Sequence, residues 1–279
     1  MKLVIEEILS NLYKIEIPLP ENPLKATNSY VIIGSERNLI VDTGMNRKEC
    51  MNAMYAGLRK LGVDLKRTDF FITHLHADHL GLVSHLVTDS SKIYFNKTDA
   101  ESISSGPNWD KFVDYGRING FPENELQAAL HNHPAYKYRW ESRLSFHTLK
   151  DNDTIIIGDY TFKCVETPGH TRGHMCLYDN NIKAFLSSDH ILHNISPRIE
   201  SWYDDKNPLE KYLSSLDKVF GLNIELVLPG HGCIFTNCKE RIQELKYHHR
   251  KRADEVLSIL GKGGKNAYQV ASQMSWDIN

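Results

Sequence analysis

Three histidines and one aspartate lie within six residues of the segment from Thr73 to Gly81. An apolar run, residues 70–72, precedes them and predicts a strand that leads into the segment. Imidazole nitrogens are common ligands for zinc and other transition metals, and a carboxylate adds an oxygen donor. A purely structural cluster would need a separate hydrogen-bond partner for each ring in one short loop. The spacing therefore predicts a metal site with the donors His74, His76, Asp78 and His79.

Three later donors share one context, because each lies where a predicted strand gives way to irregular backbone. His170 follows a Pro-Gly pair, Asp189 follows an apolar run, and His231 follows a second Pro-Gly pair. Together with the first segment they supply five histidines and two aspartates, enough ligands for two adjacent metal ions. Two ions about 3.5–4 Å apart can share a hydroxide whose pKa is lowered toward neutrality.

Short strands and helices alternate along the chain and must position these donors. Residues 30–41 have the pattern of a hairpin, residues 46–61 that of an amphipathic helix, and residues 69–73 that of a buried strand. A second series of strands and one helix is predicted over residues 153–228. The pattern indicates two similar blocks of strands and helices, with the donors at the strand ends.

Residues 97–145 interrupt this pattern with aromatic, charged and histidine residues at helical spacing. We predict a helical insertion there, and the sequence leaves open whether it walls a substrate pocket or only packs on the sheet. A long helix is predicted over 238–260, and a second one starts near 266. We expect a metal-binding main domain over 1–237 and a C-terminal helical extension over 238–279.

The composition argues against several classes of partner. A formal net charge of −2 gives no global electrostatic reason to bind nucleic acid or an anionic membrane, and no apolar run is long enough to cross a bilayer. The N-terminus becomes acidic at Glu6 and Glu7, too early for a secretory signal. The five cysteines form no C-x-x-C pair, and their odd number does not suggest a disulfide framework. We therefore predict a cytoplasmic protein with reduced thiols and no membrane partner.

The order H-x-H-x-D-H, G-H, S-D and P-G-H-G resembles that of the metallo-β-lactamase-fold hydrolases over residues from about 10 to 240. It is closer to the glyoxalase II-like and general-hydrolase branch than to the antibiotic-cleaving enzymes. The resemblance implies an α/β fold, a four-layer αββα sandwich, here with a helical insertion and C-terminal helices. Residues 248–271 are similar to the linker into a winged-helix module, which this chain is too short to complete.

The resemblance also implies a ligand set for two divalent metal ions, with zinc expected and manganese or iron as alternatives. Three histidines would hold the first ion, one aspartate and two histidines the second, and one further aspartate would bridge them. In that order the residues are His74, His76 and His170; Asp78, His79 and His231; and Asp189.

Four residues receive supporting roles. Asp42, at the end of a Val-Asp-Thr-Gly strand, matches a family position that orients the ligand loop from behind. Asp78 is also predicted to be catalytic, because it could orient the nucleophile or transfer its proton. His174 and His190 are candidates to stabilise an oxyanion or to support the ligands. Packing as polar residues in hydrogen-bonded turns is an equal alternative for both, and His193 has no assigned role.

The leading functional prediction is an enzyme in which a hydroxide between two metal ions attacks an ester, thioester or lactone of a small molecule. One alternative is an RNA- or phosphodiester-cleaving nuclease of the same fold, which the missing basic surface disfavours. Another is a non-haem iron dioxygenase of the persulfide type, with one iron held by two histidines and one aspartate. The substrate is expected to be small, nucleic acid is the less favoured partner, and a homodimer is the oligomeric state considered.

Overall fold

The computed structural model describes residues 3–106, 108–133, 144–199, 207–261 and 263–276. Three aromatic residues of the predicted insertion, Tyr136, Tyr138 and Trp140, lie outside the described residues.

The N-terminal half of the chain forms a seven-stranded sheet in which the strands follow one another in chain order. The pairs from the first to the fourth strand are antiparallel, and the remaining pairs are parallel. Because the fourth and fifth strands are parallel, both end at the same edge of the sheet. The strands are β1 (Ile5–Leu9), β2 (Leu12–Pro18), β3 (Ala26–Ile33), β4 (Asn38–Val41), β5 (Thr68–Phe71), β6 (Ile93–Asn96) and β7 (His147–Leu149).

The second sheet has five strands that also follow one another in chain order, and the last strand lies at the edge and pairs in parallel with its predecessor. Its other pairs are antiparallel hairpins. The strands are β8 (Thr154–Ile157), β9 (Tyr160–Glu166), β10 (Met175–Asp179), β11 (Ala184–Ser188) and β12 (Leu226–Pro229), and their spatial order is β12-β11-β10-β9-β8.

Helices cover the outer faces of both sheets. Their starts follow familiar capping chemistry: the Asn207 side chain accepts from the backbone N–H of Glu210, and Pro208 occupies the first turn. The helices are α1 (Lys48–Lys60), α2 (Ala77–Leu80), α3 (Val83–Leu86), α4 (Lys97–Ser105), α5 (Trp109–Ile118), α6 (Glu123–Asn132), α7 (Pro208–Phe220), α8 (Cys238–Leu260) and α9 (Ala267–Ala271). Among the helices that the structure describes, none combines the length and the apolar character that a bilayer span requires.

Three apolar clusters separate the layers. The first lies between the seven-stranded sheet and α1–α4, the second between the two sheets, and the third between the five-stranded sheet and α7 and α8. Strands β4 and β5 are buried on both faces, and their apolar residues are divided between the first two clusters. The architecture is therefore helix, sheet, sheet, helix, and the predicted αββα sandwich is confirmed.

Helices α4, α5 and α6 lie between β6 and β7, where the helical insertion is predicted. The C-terminal helix α9 packs against them, since Tyr268 donates through its backbone N–H to the Asn119 carbonyl at 3.1 Å and through its hydroxyl to Glu125 at 2.8 Å. Two strands were not predicted, β1 and β7. The division of the chain at residue 238, where α8 begins, stays a prediction.

Candidate metal centre

Four of the predicted donors lie in the segment that follows β5 and includes α2. Strand β5 is buried throughout and ends at Phe71, and α2 starts at Ala77, so that Asp78 and His79 lie in its single turn. The backbone N–H of His79 donates to the His76 carbonyl at 3.0 Å, which closes the loop on itself. All four donors are thus held at the edge of the first sheet, where β4 also ends.

The first triad consists of His74, His76 and His170. Nδ1 of His76 lies 3.0 Å from Nε2 of His74 and 3.0 Å from Nε2 of His170. His170 comes from the loop between β9 and β10, so the triad joins the two sheets. The rings of His74 and His170 are buried, and His76 is partly exposed.

The second triad consists of Asp78, His79 and His231. Nε2 of His79 lies 3.3 Å from Nε2 of His231, and Oδ2 of Asp78 lies 3.4 Å from His231 Nε2 and 3.9 Å from His79 Nε2. His231 follows β12, so this triad also draws on both sheets. Within each triad the donor atoms lie within 4.8 Å of one another, a separation that one ion can span.

Asp189, directly after β11, lies between the two triads. Its Oδ2 is 3.5 Å from Nε2 of His170 and 3.5 Å from Nε2 of His231, and its Oδ1 is 3.6 Å from Nε2 of His79. One carboxylate therefore contacts a histidine of the first triad and both histidines of the second. The structure brings all seven predicted donors into one cluster.

In three of the histidines, one ring nitrogen donates a hydrogen bond away from the cluster, which shows that the other ring nitrogen faces the cluster. Nδ1 of His170 donates to the Arg198 carbonyl at 2.6 Å, and Nδ1 of His231 donates to the Ala26 carbonyl at 2.7 Å. Nδ1 of His79 donates to Oδ2 of Asp42 at 2.7 Å. In the neutral rings Nε2 then carries a lone pair, and that lone pair points into the cluster.

Converging lone pairs repel one another unless a cation, either a proton or a metal ion, lies between them. Oδ1 of Asp189 is also buried, and among the described residues it has no hydrogen-bond partner. Histidine nitrogens with aspartate oxygens are a ligand set for zinc, manganese or iron. The residues present therefore fit one divalent metal ion in each triad.

Asp42 has the predicted position behind the ligands. Besides His79 it accepts hydrogen bonds from Thr73, through the backbone N–H at 2.9 Å and the hydroxyl at 2.8 Å, and from the Ser188 hydroxyl at 3.2 Å. Because its hydroxyl proton points to Asp42, Thr73 can accept from Nδ1 of His74 at 2.9 Å. The backbone of Asp42 is left-handed, with φ of 58°, an uncommon conformation that this network holds in place.

The loop that carries His231 is fixed by the first sheet. The Asn28 side chain donates to the carbonyls of Pro229 and Gly232, both at 2.9 Å, and the Tyr30 hydroxyl donates to Pro229 at 2.8 Å. Gly230 has no room for a side chain, since a Cβ there would lie 2.4 Å from Oδ1 of Asp189. This close approach explains the glycine in the P-G-H-G sequence.

The charges within the cluster shift its pKa values in opposite directions. Burial opposes a charge on His231, but Asp189 and Asp78 outweigh it and raise the pKa of His231 to about 10. For His79 burial is likewise outweighed, here by Asp42, Asp189 and Asp78, and its pKa is raised. Burial, and then the neighbouring histidines, lower the pKa of His74 well below its ordinary value. The metal-free second triad thus holds protons that a bound cation would displace.

His174 and His190 lie outside the two triads. The His174 ring packs 5.1 Å from the His74 ring, and its Nδ1 is 2.8 Å from the Thr167 hydroxyl. His190 packs between His174, at 6.2 Å, and Tyr212, at 5.3 Å, and burial lowers its pKa to about 3. Both rings are fully buried, so neither faces solvent. Their proposed roles beside an oxyanion or a ligand stay predictions.

Sequence reasoning missed one buried carboxylate beside the first triad. Asp99 of α4 accepts hydrogen bonds from Leu75, Thr171 and Gly173, residues of the two segments that carry this triad. No local pattern around Asp99 marks it as special, because its partners are distant in sequence and two of them are backbone groups. The surroundings of α4 had been predicted only as a helical insertion.

The four-layer sandwich, with its buried His/Asp cluster at the strand ends, has the architecture of the Metallo-beta-lactamase superfamily. The model of the Metallo-beta-lactamase superfamily matches residues 22–231, and the chain belongs to that superfamily. The matched range includes all seven clustered donors and Asp42.

Three relatives illustrate this membership. The Bacillus subtilis protein named "Probable metallo-hydrolase YqjP" is 27% identical over 256 residues, which cover 88% of this chain and 79% of that protein. "Atrochrysone carboxyl ACP thioesterase" of Aspergillus fumigatus is 26% identical over 239 residues, which cover 85% of this chain and 60% of the thioesterase. The crystal structure of the metallo-beta-lactamase family protein TTHA1429 from Thermus thermophilus matches with a TM-score of 0.80 at 25% identity, over 95% of this chain and 87% of that one. The chain spans 60–66% of the length of two curated relatives that it matches.

Proposed function

We propose that this protein is a dinuclear metal-dependent hydrolase that cleaves an ester, thioester or lactone of a small molecule. One observation carries the proposal: two triads of donors share Asp189, whose oxygens lie 3.5–3.6 Å from histidines of both. A site for a single ion would not need a carboxylate in contact with two separate ligand groups.

Divalent ions in such a site lower the pKa of a coordinated water and polarise the oxygen of the electrophile. Asp78 is suited to orient the attacking water, because its side chain is 17% exposed whereas that of His79 is fully buried. Burial opposes its charge, but His79 and His231 lower the pKa of Asp78 below its ordinary value. The ionised carboxylate would accept a hydrogen bond from the nucleophile and aim its lone pair.

A neutral or weakly charged organic substrate agrees with the composition. The net charge of −2 provides no general attraction for a polyanion such as RNA. A thioester is included among the substrates because one relative carries the name of a thioesterase. The nuclease and the persulfide-type dioxygenase stay alternatives without an observation that favours them.

We further propose zinc as the native metal, with manganese or iron as the alternatives that a His/Asp set accepts. The glyoxalase II-like branch, a C-terminal tail related to a winged-helix linker, a cytoplasmic location and a homodimer are proposals from the sequence. Helix α8 supports only the helical character of the tail, which it covers from Cys238 to Leu260.

The test is a hydrolase panel of esters, thioesters and lactones, run on protein of known zinc content. We expect turnover of at least one class, lost on chelation and restored by zinc. His79→Ala should abolish it, whereas His85→Ala should not, because His85 is exposed and its ring hydrogen-bonds to Asn46, away from the donors. Activity that survives full metal removal, or in His79→Ala, would refute the proposal.

A further inference from the structure

Asp99 is a buried carboxylate that contacts two separate segments of the metal centre. Its Oδ2 accepts from the backbone N–H of Leu75 at 3.0 Å and from the Thr171 hydroxyl at 2.9 Å. Its Oδ1 accepts from the backbone N–H of Gly173 at 2.7 Å. Leu75 and Gly173 are 24 and 74 residues away from it in the chain, so the contacts depend on the fold.

The residues that Asp99 contacts are close in sequence to all three members of the first triad. Leu75 lies between His74 and His76, and Thr171 directly follows His170. A shift of Asp99 would therefore move the segment with two of the ligands relative to the segment with the third. The two segments meet at the 3.0 Å contacts of His76 with His74 and His170.

The surroundings of Asp99 are built to bring it this close. The Asn96 side chain caps α4 by accepting from Thr98 N–H at 2.8 Å, which fixes the first turn that carries Asp99. Gly173 allows the approach, since a Cβ on it would lie 2.7 Å from Oδ1 of Asp99. Burial raises the pKa of Asp99 to about 6, and its three hydrogen-bond donors, which an apolar side chain would leave unpaired, oppose that rise.

We propose that Asp99 is a positioning residue that holds the two segments of the first triad at metal-binding distance and so sets the metal affinity of that triad. It acts through the backbone and Thr171 and need not touch metal or substrate. The inference rests on the dinuclear site of the proposed function, and it deepens that proposal by separating the two halves of the site. Asp42 is its counterpart, because it acts on the ring of His79 in the second triad.

The experiment is a zinc titration of the full chain against a competing chelator, resolved into two binding steps. Asp99→Asn should weaken one step about 10- to 100-fold and leave the other within about threefold, the range typical for groups that support metal ligands. An amide nitrogen would face a donor where Asp99 now accepts, so asparagine cannot reproduce all three contacts. Asp42→Asn should weaken mainly the other step, because Asp42 contacts His79 directly and His74 only through the Thr73 hydroxyl, and this assigns the two steps to the two triads.

Asp69→Asn is the matched control. Asp69 is an equally buried carboxylate of the first sheet that accepts from Arg37 at 2.6–2.8 Å and from the backbone N–H of Lys92 at 2.8 Å. Its loss should lower the melting temperature and leave both zinc steps unchanged. The inference would be overturned if Asp99→Asn weakened both zinc steps equally or weakened neither. It would also be overturned if Asp99→Asn and Asp42→Asn weakened mainly the same step.

If Asp99→Asn does not fold, Thr171→Val replaces it in the test. This variant removes the hydroxyl that donates to Asp99 and leaves the two backbone N–H donors. It should weaken the same zinc step by a smaller factor, and Thr171→Ser should restore it; unchanged affinity in Thr171→Val would then overturn the inference. The readout needs no substrate. Wild-type protein that binds two zinc ions but hydrolyses nothing in the panel would refute the proposed function and leave the role of Asp99 standing.

Discussion

The two triads of the metal centre are anchored in different ways. In the second triad the Asp42 carboxylate contacts the ring of His79 directly at 2.7 Å, which raises the basicity of a ligand. In the first triad the ring nitrogens of His74 and His170 that point away from the cluster contact neutral groups, the Thr73 hydroxyl and the Arg198 carbonyl. Its carboxylate, Asp99, contacts the backbone between the ligands instead. Asp42 thus acts on the ring of a ligand in the second triad, whereas Asp99 acts on the backbone between the ligands of the first triad.

The difference also separates the protonation of the two halves. Carboxylates surround His79 and His231 and raise both pKa values, whereas burial and neighbouring histidines lower that of His74. Asp189 is the group that contacts both halves, so it should respond to changes in either.

The largest effect is expected from Asp189→Ala, because this substitution should weaken metal binding in both triads. Removing the shared carboxylate leaves three histidine nitrogens at 3.5–3.6 Å without their anionic neighbour. We expect both zinc steps to weaken by about 100-fold or more, the upper part of the range for ligand loss. Plasma emission spectrometry of dialysed protein measures it, and a variant that retains wild-type zinc content would remove Asp189 from the site.

Gly230→Ala should damage mainly the second triad. The added Cβ would lie 2.4 Å from Oδ1 of Asp189 and 3.0 Å from Cε1 of His79, so the loop that carries His231 must move. We expect a loss of about tenfold or more in the affinity of the step assigned by Asp42→Asn. Gly232→Ala is the control in the same loop: Gly232 has a positive φ of 75°, so alanine strains the backbone there, but nothing lies within 4 Å of an added Cβ. Equal zinc affinities in Gly230→Ala and Gly232→Ala would contradict the expected steric clash at residue 230.

Thr73→Val tests whether the halves communicate through a shared hydroxyl. Thr73 joins Asp42, behind the second triad, to His74 in the first, at 2.8 and 2.9 Å. Because Asp42 keeps its contact with His79, we expect the zinc step of the first triad to weaken by up to about tenfold and that of the second triad to weaken by less. Isothermal titration calorimetry gives both steps, and a larger loss in the second would show that Asp42 depends on Thr73.

The smallest effect on metal binding is expected from His249→Gln, outside both triads on α8. Burial, and then His248, lower the pKa of His249 to about 4, whereas an unfolded histidine has a pKa near 6.5. The unfolded state therefore binds a proton that the folded state does not, and stability falls as the pH drops from about 6.5 to 4. Melting temperatures at pH 7 and pH 4.5 should differ less in the variant, with zinc affinity unchanged. An unaltered pH dependence would contradict the pKa assignment.

The clustered donors could be selected from the sequence because their types are rare and their local settings distinctive. The donors from His74 to His79 lie within six residues, and His170 and His231 each follow a Pro-Gly pair at a strand end. The αββα architecture was implied by the family resemblance, and it is confirmed.

Other features could not be predicted, because their causes are not local. Asp99 acts on backbone groups brought near only by folding, and its neighbours in the chain carry no sign of this. Strand β1 is an edge strand with no fully buried residue, and β7 is a three-residue strand with two exposed positions. Their apolar alternation is too weak for a pattern to show, and pairing with β2 and β6 defines them.

The most direct test of the central claim is anomalous diffraction at the zinc edge from crystals of the zinc-reconstituted protein. The account predicts two peaks about 3.5–4 Å apart, one within reach of His74, His76 and His170 and one within reach of Asp78, His79 and His231, with Asp189 between them. A single peak, or a second one away from either triad, would contradict it.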